Sequence, residues 1–131
     1  MPARLLIVDD HEVVRRGVRN VFANNESFQI CGEAQNGQEA IRKVPELAPD
    51  VVILDLSMPG MNGFETAAKI KMVSPSTRIV FFSIHEIPAT ARLVGGDAFV
   101  SKSATLQELA LTLDRVMQQG SSAVDVRNLP S

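Results

Sequence analysis

Asp9 and Asp10 follow the apolar run Leu5-Leu6-Ile7-Val8, and Asp55 follows Val51-Val52-Ile53-Leu54. Ser83 follows Ile79-Val80-Phe81-Phe82, and Lys102 follows Ala98-Phe99-Val100-Ser101. Three carboxylates brought close together cannot all stay ionised unless a cation joins them. With oxygen ligands and neither imidazole nor thiolate in the set, the fitting ion is a hard one that keeps some waters, Mg2+ or Mn2+. An ammonium and a hydroxyl beside it make a site for phosphoryl oxygens: metal and Lys102 neutralise charge, and Ser83 donates a hydrogen bond. A carboxylate there can itself be the nucleophile and carry the group as an aspartyl phosphate. Taken singly, each residue has a plainer role. Asp10 suits a helix N-cap, Asp55 a turn, and Lys102 a solvated surface. The joint pattern, one polar group at each of four strand ends, is what favours chemistry.

The elements that must position these residues follow from the apolar patterning. Continuous β-branched and aromatic runs of about four residues predict strands buried on both faces. Phe28-Gln29-Ile30-Cys31-Gly32-Glu33 is a further, more alternating strand. Between the strands, residues 11–24 place Val14, Val18, Val21 and Phe22 at helical spacing, with Arg15, Arg16 and Arg19 turned outward as a solvated face. Residues 38–44 form a helix stopped by Pro45, after an Asn36-Gly37 turn, and residues 64–73 another, closed by Ser74-Pro75. From Glu86 to Gly96 the helix is short, limited by Pro88 and Gly95-Gly96. The last helix opens on the capping box Thr105-Leu106-Gln107-Glu108 and carries the stripe Leu106, Leu109, Leu113, Val116 ahead of Gly120. Strand and helix alternating about every 25 residues predict an α/β fold, a parallel sheet with helices on both faces. Right-handed crossovers place the carboxyl ends of the strands on one edge, where ligands bind in such sheets. Residues 121–131 are polar and aperiodic, a linker or tail.

Composition narrows the field. The chain of 131 residues suits one domain. Apolar residues make up 45%, which is too many for a disordered segment. A net charge of −2 argues against coating nucleic acid or anionic membrane. A single cysteine, Cys31, excludes an internal disulfide framework and a Cys-rich zinc site, and it reads as a small buried hydrophobe in a reducing cytoplasm. No apolar run approaches the ~18 residues of a membrane span, and no signal-peptide core follows Met1. Trp and Tyr are absent.

The residues Ile7-Val8-Asp9-Asp10-His11, then Ile53-Leu54-Asp55-Leu56-Ser57-Met58-Pro59-Gly60-Met61-Asn62-Gly63, then Ser83 and Lys102, resemble the receiver domain of bacterial two-component response regulators. The likeness runs from about residue 4 to 119 of the chain. Asp9 through Gly17 is most similar to the NarL/LuxR-type subfamily, in which a helix-turn-helix domain follows a linker. The resemblance implies a flavodoxin-like, doubly wound five-stranded parallel sheet of order 2-1-3-4-5, with its fourth helix short here. It implies a receiver domain over residues 1–120, with 121–131 as linker or C-terminal tail. Asp55 would accept phosphate from a sensor histidine kinase. Asp9, Asp10, Asp55 and the backbone carbonyl of Ser57 would hold Mg2+ (or Mn2+), and Ser83 and Lys102 would contact the phosphoryl group. Phe99 falls at the position of an aromatic switch that turns inward with Ser83, and lacking a phenol hydroxyl it gains nothing polar by facing water. His85 lies where the family tunes dephosphorylation. His11 is expected at the surface beside the site, Met58 and Met61 as local packing, and Gly63 as helix-start geometry. The arginines of residues 11–24 could alternatively belong to a kinase-docking face.

Two departures stand out. Ser83 and Lys102 are 19 residues apart, about one helical turn shorter than the family pattern, which puts the usual output face in doubt. Ser103 replaces the common proline after Lys102. The resemblance implies a cytoplasmic phosphorylation-dependent switch, not an enzyme beyond its own phosphorylation and autodephosphorylation, which changes partner contacts or forms a homodimer. It would control transcription through a DNA-binding domain outside this chain, with no direct nucleic-acid contact of its own and no membrane. A stand-alone receiver acting by protein contact is the alternative. A Mg2+-dependent phosphatase of haloacid-dehalogenase type is disfavoured because Ser57 stands where its second Asp would be. A flavin-binding module is disfavoured because two acids replace the phosphate loop after the first strand.

Overall fold

The computed structural model describes residues 1–84 and 95–119. The four unbroken apolar runs and the alternating one form β1 (Ala3–Val8), β2 (Phe28–Ala34), β3 (Val51–Leu54), β4 (Arg78–Ser83) and β5 (Ala98–Ser101). All pair in parallel, in the order β2-β1-β3-β4-β5. Among the described residues the helices are α1 (Glu12–Phe22), α2 (Gly37–Leu47), α3 (Gly63–Val73) and α4 (Leu106–Gln118). The short helix expected from Glu86 lies outside the described residues except for Gly95 and Gly96, as do His85 and the tail 121–131. No helix among the described residues is long and apolar enough to cross a membrane.

Because successive strand side chains point to opposite faces, the sheet carries two cores. Leu5, Ile7, Val51, Ile53, Val80 and Phe82 pack with Val18 and Phe22 of α1 and with Leu109, Leu113 and Val116 of α4. Leu6, Val8, Val52, Leu54, Ile79 and Phe81 pack with Ala40 and Val44 of α2 and with Ala67 and Ile70 of α3. Burial on both faces explains why these strands show no polar alternation.

Local chemistry sets the helix ends. Asn62 and Glu65 form a full capping box at α3, and Thr105 Oγ1 accepts from the Glu108 N–H at 3.1 Å to open α4. Pro45 does not end α2 as expected. It lies in the last turn, where its missing N–H forfeits one hydrogen bond, and the helix runs on to Leu47. The stop is Ala48, in the left-handed region at φ 48°, whose N–H donates to Val44 O at 2.8 Å.

Candidate functional site

Strand register brings the acids together. Val8 pairs with Leu54, so Asp9 and Asp55 leave the sheet side by side, and the Asp55 N–H donates to Val8 O at 3.0 Å. The Asp9 N–H donates to Ala34 O at 3.1 Å, tying the same corner to β2. On the other side Ser83 pairs with Ser101, and the Lys102 N–H donates to Ser83 O at 2.8 Å. Asp9, Asp55 and Ser83 are all buried, and Asp10 is half-buried.

The charges then find one another. Lys102 Nζ lies 2.8 Å from Asp9 Oδ2 and 3.5 Å from Asp55 Oδ2, and 5.8 Å from the centre of the Phe82 ring. Ser57, exposed in the loop after β3, donates its N–H to Asp55 Oδ1 at 3.3 Å. Burial, then the neighbouring Asp9 carboxylate, pushes the Asp55 carboxyl above its ordinary range, against the pull of Lys102 and the Ser57 N–H.

Ligand atoms of Asp9, Asp10, His11 and Asp55 lie within 4.8 Å of one another. His11 is the member the sequence placed only beside the site. Its Nδ1 stands 3.2 Å from Asp9 Oδ1 and 3.1 Å from Asp10 Oδ1, and its N–H donates to Asp9 Oδ1 at 2.9 Å. The Asp10 contact lacks hydrogen-bond alignment, and Asp10 Oδ1 is a buried oxygen without a hydrogen-bond partner. An unsatisfied carboxylate oxygen within a cluster of acids matches what a divalent cation needs.

Two features escaped sequence reasoning. Gly63 does more than start a helix, since a Cβ there would collide with Asp55 O and lie 2.6 Å from Leu56 Cα. Its N–H donates to Leu56 O at 2.9 Å, so α3 rests on the backbone that carries Asp55. Arg15 and Arg19 do not form a solvated face. Arg15 is buried and Arg19 grips Glu33 and Glu12, leaving Arg16 as the outward arginine of the three. The signal was present in Glu12 and Glu33, but Glu33 lies on another element and only the fold brings it near. Phe99 is half-buried with its ring stacked on Phe81, centroids 5.8 Å apart and planes within 2°. Met58 is buried as packing in the α2–α3 core, and Cys31 is half-buried beside it.

A parallel sheet of this order, with carboxylates and a lysine at its carboxyl edge, defines a doubly wound receiver-type domain. The response regulator receiver domain family matches residues 5–114, and the chain belongs to that family. It is 39% identical over 115 residues to the nitrate/nitrite response regulator protein NarL of Escherichia coli K12, covering 86% of this chain and 53% of that protein. The chain thus spans about half the length of the curated relatives it matches. A LuxR-family two-component response regulator from Aurantimonas superposes with a TM-score of 0.85 at 31% identity, covering 91% of this chain and 87% of that one. The signal receiver domain of the putative NarL of Mycobacterium tuberculosis gives 0.80 at 32% identity, covering 88% and 97%. The expected NarL/LuxR-type resemblance therefore holds. Receiver domains are signalling domains rather than classical enzymes.

Proposed function

We propose that this domain is a phosphorylation-dependent switch in which Asp55 accepts a phosphoryl group from the phosphohistidine of a sensor kinase. The observation that carries the reading is the convergence of Asp9, Asp10 and Asp55, with Lys102 on Asp9 and Asp55 and one Asp10 oxygen left unsatisfied. Asp9, Asp10, Asp55 and the Ser57 carbonyl would hold Mg2+ or Mn2+, which when bound neutralises and orients the phosphoryl oxygens. An oxygen of Asp55 attacks phosphorus, the N–P bond of the donor breaks, and the released imidazole takes up a proton. Lys102 then exchanges its carboxylate partners for phosphoryl oxygens, and Ser83 donates its hydroxyl to them. Phe99, on β5 three residues before Lys102, is the residue whose packing answers that movement. The modified domain acts in the cytoplasm through changed protein contacts, a homodimer among them, and controls transcription through a DNA-binding domain outside this chain.

Incubation with Mg2+ and a small phosphodonor should add one phosphoryl group by mass. Equal labelling of Asp55→Asn would remove Asp55 as acceptor, and many turnovers on phosphate esters would replace the switch with a phosphatase.

A further inference from the structure

Among the described residues, Arg15 is the only Lys or Arg that is buried. A buried guanidinium requires partners for its fork. Nε donates to Glu33 Oε1 at 2.9 Å and Nη2 to Glu12 Oε1 at 2.8 Å. The third contact is different in kind: Nη1 donates to the backbone carbonyl of Asp9 at 2.7 Å, and this bond is buried. That carbonyl is one end of the peptide plane whose other end is the Asp10 N–H. With the Asp9 N–H already held by Ala34 O, the main chain is fixed on both sides of Asp9, directly under two of the three acids.

Arg19 provides the contrast. It reaches the same two glutamates, with Nη1 at 2.7 Å from both oxygens of Glu33 and Nη2 at 2.9 Å from Glu12 Oε2, and these bonds stop short of Asp9. One arginine clamps α1 to β2, and the other clamps α1 and β2 to the acid pocket.

We infer that Arg15 is a positioning residue for the cation site: its bond to the Asp9 carbonyl fixes the Asp9–Asp10 peptide and so presets both carboxylates for a divalent ion. The inference rests on the metal-binding reading given above. Groups that orient ligands without touching the metal commonly govern affinity through such contacts.

Isothermal titration calorimetry of the full chain with Mg2+ tests this, since a chain without Trp or Tyr offers no such fluorophore at the site. Arg15→Met should weaken Mg2+ binding about tenfold, with mass labelling at Asp55 recovered when Mg2+ is raised in proportion. Arg19→Met should bind Mg2+ as wild type does. Arg15→Lys keeps the charge without the planar fork, should fall between them, and replaces Arg15→Met if that variant does not fold. Wild-type affinity in the Arg15 variants, or an equal loss in Arg19→Met, overturns the inference. A wild-type chain that binds no Mg2+ overturns the metal reading itself, and the wild-type isotherm alone separates the two failures.

Discussion

Lys102 Nζ sits 2.8 Å from Asp9, closer than the 3.5 Å that separates it from Asp55. The ammonium therefore serves as counter-ion for a pocket that holds more negative charge than one lysine balances. Removing it strands buried acids. Lys102→Met should lower stability without metal by about 2–3 kcal/mol at pH 7, toward the low end for a broken buried pair because the lysine is partly exposed. Added Mg2+ should restore a larger share of stability in the variant than it adds to wild type. Urea denaturation with EDTA and with Mg2+ measures both.

The raised carboxyl of Asp55 fixes the sign of a pH effect. A group held above its ordinary pKa by folding costs nothing below the unfolded value of 3.8, and costs progressively more as pH rises toward the folded value. Asp55→Asn removes that cost. The variant should exceed wild type in metal-free stability at pH 7, and the margin should shrink as pH falls toward the unfolded value. Glu12, held low chiefly by its bond to Arg19, and Glu39, held low chiefly by the Gln35 N–H, shift the other way, but they are common to both proteins and cancel in the difference.

Two glycines three residues apart should respond differently to one methyl group. Gly63→Ala drives a Cβ into the backbone of Asp55 and Leu56, and should cost about 3 kcal/mol while depressing labelling of Asp55. Gly60 has φ 81° but open space around its Cβ, so Gly60→Ala should cost only about 1 kcal/mol of backbone strain. Thermal unfolding followed by circular dichroism separates them.

The stacking of Phe99 on Phe81 makes a packing prediction that is independent of the acids. Phe99→Leu should cost about 1–2 kcal/mol in urea denaturation and leave the mass gain at Asp55 intact. Loss of the mass gain would give the ring a part in the chemistry itself.

The strands and the edge that gathers Asp9, Asp10, Asp55, Ser83 and Lys102 were legible because apolar runs end where they meet a polar group, whereas the strand order came only from the family resemblance. Contacts between distant elements were not. Nothing local to residues 11–24 tells an arginine facing solvent from one facing Glu33, and nothing in Gly63 announces the backbone of Asp55 against it. Pro45 misled because helix breaking depends on position within the helix, and the last turn has little left to lose.

The register that sets Val8 beside Leu54 and Ser83 beside Ser101 also governs when the pocket can exist. Its charged groups span residues 9 to 102 and are contributed from beside three of the five strands, β1, β3 and β5, so no folded fragment of the sheet that lacks any of these contains them all. Such contacts, distant in sequence, are completed late in folding. A cation that needs all three acids would ignore partly folded chains and report only finished ones. Its binding would act mainly as a brake on unfolding rather than as a spur to folding.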